Sequence, residues 1–240
     1  MLKFIILLIT CLFLISYKQQ QELFKLNDDM KIKKVTNDII VIDNFYKNPD
    51  ILRKIYLNKN YQTHYSIYDT EFYNPNLFFN FKLIKFFEKI IRTKINYLDW
   101  INNINNNSNG FFQYLTKFGQ PTIHSDEGTC HAAVIFLGDN LHPNTGTSFY
   151  KHKESNLEIT ISDYEFKKLS KQNQTKYLNY SKNDFWLQGE KAKFDKWEKI
   201  YQIKNKFNRA IVFNSKRFHS SDGGYGDNKF NSRFFQTFFF

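Results

Sequence analysis

Covalent staples are almost absent from this chain. It has two cysteines in 240 residues, and they fall far apart, Cys11 in an N-terminal apolar run and Cys130 in a segment expected to be a core strand. They are not expected to pair, and no cysteine-based zinc spacing exists, which excludes a disulfide scaffold and a zinc-knuckle module. A run of one charge is also missing. The net charge is +11, from 34 Lys and Arg against 23 Asp and Glu, but the lysines are scattered. A basic balance can mark a nucleic-acid or anionic-membrane partner. Here Lys, Asn, Ile, Phe and Tyr rise together, as an AT-rich genome would cause, so nucleic acid is not an expected partner. Nor is there an internal repeat, or an apolar run of the ~20 residues that a spanning helix needs.

Aromatic side chains are abundant: 19% of residues, 27 of them Phe, within a hydrophobic total of 42%. That is ample for a sizeable core and excludes global disorder. The aromatic, β-branched bias favours sheet over a helical bundle, and the length suits one domain with decoration.

The N-terminus is set apart. Met1-Leu2-Lys3 precedes the apolar run Phe4–Ser16 and a polar flank, YKQQQE. This pattern resembles a secretory signal. No small-x-small cleavage site is clear, so a short uncleaved anchor is the alternative, and a buried hydrophobic helix a third. Residues 1–20 are therefore read as a leader. They imply membrane association through residues 4–16 or secretory entry, with a soluble intracellular location as the alternative. Sequons begin at Asn106, Asn173 and Asn179, as an Asn-rich chain produces by chance.

The domain itself is read as residues 31–240. Ile39–Ile42 is an apolar strand, and Asn48-Pro49-Asp50 starts a short helix over Ile51–Leu57. Residues 61–76 read as loop with an edge strand. Apolar residues at helical spacing predict a long helix over Leu77–Trp100, and the Asn-rich stretch 102–109 is a loop. From Phe111 the pattern changes to short strands: Phe111–Thr116, Thr122–His124, Cys130–Leu137, Thr147–Lys151, Trp197–Ile203, Arg209–Asn214 and Arg233–Phe240. Short strands separated by Gly, Pro and Asn turns argue a sandwich or jelly roll. The polar segment 154–193 interrupts them and reads as a rim insertion holding two short helices.

One constellation carries chemistry. In an extended segment residues i and i+2 share a face, so His124 and Asp126 point the same way. An imidazole beside a carboxylate supplies two of the three ligands of a 2-His-1-carboxylate site for non-haem Fe(II). The third must come from a distant strand. Of six histidines, His219 follows the strand RAIVFNSKRF and precedes a Gly-rich turn, and Arg233 opens the last strand fourteen residues later. A planar guanidinium pairs bidentately with a carboxylate. His131 reads as a structural histidine in a core strand, with substrate contact as the alternative. His152 reads as either a mouth or a surface residue.

The segments HSDEGTCHAAVIFL, TGTSFYKHK, RAIVFNSKRFHSS and RFFQTFFF, with VIDNFYKNPDILRKI before them, occur in the order of the iron- and 2-oxoglutarate-dependent oxygenase superfamily. More narrowly they resemble its DUF6445 group, over roughly Ile39–Phe240. The resemblance implies an α+β fold with a mainly β core, a double-stranded β-helix (jelly roll, cupin-like) with helices packed on one side. It implies metal ligands His124, Asp126 and His219, with Arg233 anchoring 2-oxoglutarate and Tyr114 and Thr147 as hydroxyl donors to that co-substrate. Fe(II), 2-oxoglutarate and O2 would be the cofactors, and the expected activity is a hydroxylase of a small molecule or peptide, prolyl hydroxylation being the default guess. Many such oxygenases carry Ser or Thr two residues after the arginine. Here that residue is Phe235, so Tyr114 or Thr147 is expected to supply the hydroxyl. A jelly-roll module that binds a sugar or peptide without turnover is the competing reading, and a basic nucleic-acid oxygenase a third.

Overall fold

The computed structural model describes residues 18–63, 70–73, 80–97, 100, 109–119, 121–126, 128–185 and 194–240. The apolar leader, His64 and the Asn106 sequon fall outside them, as does the end of the insertion. Among the described residues, no helix is long and apolar enough to cross a membrane.

Among the described residues, eleven strands form two sheets. The larger has eight, ordered β1 (Lys31–Lys34), β2 (Ile39–Asp43), β9 (Arg209–Asn214), β6 (His131–Phe136), β11 (Arg233–Phe239), β5 (Phe111–Leu115), β4 (Thr70–Tyr73), β3 (Gln62–Thr63). All its pairings are antiparallel. The smaller sheet is β10 (His219–Ser221), β7 (Thr147–His152) and β8 (Trp197–Ile203), also antiparallel. The central strands IIVID, HAAVIF, RAIVFN and RFFQTFF read as nearly continuous apolar runs because both of their faces are covered.

Alternate residues divide the larger sheet into two faces. Phe112, Tyr114, Ile135, Val212, Phe234 and Phe238 pack against helices α1 (Pro49–Leu57) and α2 (Phe81–Ile91) through Leu52, Tyr56, Leu83, Ile84 and Phe87. On the other face Leu115, Phe136, Ile211, Phe213 and Phe235 meet Phe149 and Ile203 of the smaller sheet. The protein is thus mainly β: two antiparallel sheets face to face, with helices behind the larger one.

Helix α1 begins as expected, with Pro49 in its first turn and Asp50 beside the helix N-terminus. Helix α2 is shorter than the predicted Leu77–Trp100. The Asn80 side chain accepts from Leu83 N at 3.0 Å, which starts the helix, and Arg92 ends it in the left-handed region at φ 58°. Apolar spacing cannot see such an end, because Ile95 and Trp100 are still buried beyond it. The expected strand Thr122–His124 reduces to one bridge at His124. Strand β10, which carries His219, was not expected, nor was β1, whose residues are all exposed at a lysine-rich sheet edge. Cys130 is exposed, just before β6 begins, and is not a core residue.

The segment 154–193, read from the sequence as an insertion, holds two helices, α3 (Asp163–Lys168) and α4 (Lys171–Asn183), neither with a buried residue. Behind them Phe185, with Leu157, Tyr177 and Tyr180 at its edge, packs on Tyr150, Trp197 and Phe218. The insertion therefore covers the outer face of the smaller sheet, and residues 158–160 run alongside 216–218.

Candidate metal centre

The smaller sheet is extended by one residue pair that makes the site. His124 and His219 lie directly opposite each other and exchange both backbone hydrogen bonds, His124 N to His219 O at 2.9 Å and His219 N to His124 O at 2.8 Å. Antiparallel partners present their side chains to the same face, and the two imidazole centroids are 4.4 Å apart. Two residues on, Asp126 N donates to Ser215 O at 2.8 Å, which keeps the segment extended and returns Asp126 to the histidine face. His124 Nε2 is 3.6 Å from Asp126 Oδ1, and His219 Nε2 is 3.5 Å from Asp126 Oδ2. One ligand atom from each of the three residues lies within 4.8 Å of the others.

Both rings are held from behind. His124 Nδ1 is 3.0 Å from Thr122 O, and His219 Nδ1 is 2.8 Å from Arg217 O. A carbonyl can only accept, so each Nδ1 carries a proton and each Nε2 faces the carboxylate. Burial pulls the His219 pKa down to about 4, against the opposing pull of Asp126, so this ring is neutral near pH 7. Asp126 Oδ2 is buried and, among the described residues, makes no hydrogen bond. Two inward imidazole lone pairs and an unsatisfied carboxylate oxygen are the donor set of a divalent transition metal.

Strand β10 runs from His219 to Ser221, which pairs with Thr147 on β7. Thr147 is therefore two residues along from the histidine, about 7 Å by strand geometry. There Arg233 arrives from the larger sheet. Its Nη2 donates to Gly146 O at 3.0 Å and lies 3.5 Å from Thr147 Oγ1. Gly146 is required at this point, since a Cβ would collide with the backbone of Ile203 and Asn205. The guanidinium is 3% exposed, lies 4.8 Å from the Phe235 ring and 5.5 Å from that of Phe136, and its Nε has no hydrogen-bond partner among the described residues. Burial lowers its pKa to about 10, which leaves it charged at neutral pH. Among the described residues no carboxylate forms an ion pair with it, and Asp222 acts on it only through space; a buried cation so weakly compensated is costly and suits a site that receives an anion.

Thus His124, Asp126 and His219 come together, and Arg233 comes together with Thr147. Tyr114 does not join them. It pairs with Phe234, one residue past Arg233, and so projects from the opposite face, where it meets Tyr61 edge-on at 5.2 Å in the helix-side core. Ten residues of separation from His124 could not reveal this, because a one-residue offset reverses the face. Phe235 does share Arg233's face, as the period-two pattern implies, but its ring packs on the guanidinium.

His131 is half-buried and stacks on Phe240, with its pKa lowered by burial, as a structural histidine would be. His152 is at neither the mouth nor the surface. It is fully buried beneath the insertion, with Nδ1 2.9 Å from Ser155 Oγ and its ring among Tyr180, Phe185 and Trp197. The Thr122, Gly146 and Arg217 carbonyls at the site had no sequence signal, since every residue carries one.

The sequence model of a family described as "Family of unknown function (DUF6445)" matches residues 113–225. No curated protein matches the chain in sequence. Among solved structures, HygX from Streptomyces hygroscopicus with nickel and 2-oxoglutarate bound aligns at 11% identity and TM-score 0.43, covering 83% of this chain and 81% of that one. The same protein with nickel, 2-oxoglutarate and hygromycin B bound aligns at 12% identity and TM-score 0.41, with the same coverage.

Proposed function

We propose that this chain is an Fe(II)- and 2-oxoglutarate-dependent dioxygenase, a hydroxylase built on a double-stranded β-helix, with His124, Asp126 and His219 as metal ligands and Arg233 as the co-substrate anchor. The observation that carries this reading is a pairing of two features: three convergent donors within 4.8 Å, and beyond them on the same inner face a buried guanidinium whose Nε has no hydrogen-bond partner among the described residues. A five-carbon keto diacid has an end for each. Bound there with O2, iron and 2-oxoglutarate would couple oxidative decarboxylation of the keto acid, which takes one oxygen atom into succinate and releases CO2, to insertion of the other oxygen atom into a substrate C–H bond.

The residues of the chain do the rest. The Thr122 and Arg217 carbonyls hold the two Nδ1 protons, so both Nε2 atoms face inward as neutral ligands. Arg233 binds the distal carboxylate with its planar fork, kept in plane by Phe235 and Phe136 and steered by Gly146 O. Thr147 supplies the hydroxyl that Phe235 does not. Leu115, Phe136, Phe149, Phe213 and Phe235 line the space between the sheets and exclude water. The substrate is a small molecule or a peptide.

The test is succinate release from purified protein supplied with Fe(II), ascorbate, 2-oxoglutarate and candidate substrates, beside a titration of metal and 2-oxoglutarate. The reading predicts one metal per chain and 2-oxoglutarate binding that depends on it. Protein that takes up neither would be a binding module instead, and the proposal would fail.

A further inference from the structure

We propose that Arg217, clamped by Asp38 and Glu158, is a positioning residue for His219, through which the insertion and the β1–β2 turn set metal affinity. This rests on the metal-centre reading above. The Arg217 carbonyl is the acceptor that orients the His219 ring, at 2.8 Å from Nδ1. A peptide plane free to rotate would release that proton and with it the direction of Nε2.

The peptide that carries this carbonyl has its N–H on Phe218, and Arg217 is held on both sides of it. In the preceding peptide, Arg217 N–H donates to Asn214 O at 3.0 Å. Its side chain, 10% exposed, makes a bidentate pair with Asp38, Nε to Oδ2 at 2.7 Å and Nη2 to Oδ1 at 3.0 Å, and Nη1 reaches Glu158 Oε2 at 2.9 Å. Asp38 is itself fixed, since Thr36 Oγ1 donates to its Oδ1 at 2.7 Å and Asn214 N donates to its carbonyl at 3.1 Å. From the insertion, Thr160 N donates to Lys216 O at 2.9 Å, and Phe218 N donates to Glu158 O at 3.0 Å. Two segments remote in sequence therefore converge on one peptide, and that peptide orients a ligand. An ion-pair cluster serving only stability would not need to back the ligand strand from both sides.

The larger sheet supplies a control. Arg209 on β9 makes a comparable pair with Asp43, Nε to Oδ1 at 2.6 Å and Nη2 to Oδ2 at 3.1 Å. Its carbonyl orients no ligand. The experiment is Co(II) titration of the metal-free full chain, read by the visible absorption band and by calorimetry, with a thermal melt of each variant. Arg217→Met is expected to weaken Co(II) binding roughly 10- to 100-fold, the range for loss of a group that orients a metal-bound histidine, and to shift the absorption band. Asp38→Asn should cost less and Glu158→Gln least, because Glu158 makes one bond at a more exposed site. These two variants keep their side-chain shape and carry the test if Arg217→Met does not fold. Arg209→Met should lower the melting temperature while leaving Co(II) affinity within about two-fold of wild type. Wild-type-like affinity in the Arg217 and Asp38 variants, or an equal loss in Arg209→Met, would overturn the positioning role alone. A wild-type chain that binds no Co(II) would overturn the metal reading, and this inference with it.

Discussion

At the scale of single residues, the proposed function separates the site into groups that would hold a metal and groups that would hold an anion, and their losses should separate too. Asp126→Ala removes the only carboxylate among the three clustered ligand residues and leaves two imidazoles. Metal binding should fall by at least a hundredfold, checked by calorimetry with Ni(II), and His219→Ala should do the same. Arg233→Lys keeps the charge but loses the fork. It should leave Ni(II) affinity unchanged and raise the dissociation constant for 2-oxoglutarate at least tenfold in the metal-loaded protein. Equal effects of Arg233→Lys on both ligands would contradict the division of labour. Thr147→Val, which removes a hydroxyl 3.5 Å from the guanidinium, should cost 2-oxoglutarate only a few-fold. Tyr114→Phe should leave that affinity unmoved, since the ring lies in the helix-side core.

At the scale of elements, β11 is the strand on which both faces depend. Arg233 and Phe235 point to the site, while Phe234, Gln236 and Phe238 point to the helices. Gln236 is fully buried and satisfied from both ends, accepting from Tyr46 Oη at 2.8 Å and donating to Gly110 O at 3.1 Å. Tyr46→Phe strands the amide oxygen in the core and should cost roughly 1–3 kcal/mol of stability in urea unfolding, with no change in metal affinity. The strands themselves were legible because their composition and period agree: Trp197–Ile203 and Arg209–Asn214 have the expected bounds. Strand β10 was not legible, because HSS is too short and too polar to signal pairing, and it exists only because β7 offers a partner. Helix α2 was over-extended for the converse reason, as Ile95 and Trp100 keep the apolar rhythm after the backbone has left the helix.

At the scale of the whole molecule, three histidines are held neutral by burial: His131, His152 and His219, the last with its pKa near 4. Each folded value lies below the ordinary one of about 6.5. As pH falls below 6.5 the unfolded chain takes up protons that the folded chain refuses. The stability tied to these groups is therefore complete above about 6.5 and is lost as pH falls toward the folded values. Metal-free protein should melt at progressively lower temperature from pH 7 to pH 5, and His152→Phe should flatten that slope. A melting temperature constant across the interval would refute the assignment. Asp38 and Asp43, whose pKa values are depressed, add a second loss at lower pH, as the arginine pairs that hold them down are protonated away.

Residue chemistry alone determined that this chain is a mainly β protein and that His124 and Asp126 share a face, since a period of two is a local property, while a resemblance in the order of motifs drew His219 and Arg233 into the same question. Which side chains meet was decided only by strand register. Register sent Tyr114 to the far face, brought Thr147 to Arg233 and set Phe235 on the guanidinium. It is a relation between strands, fixed by pairing across the whole sheet, and no single segment contains it.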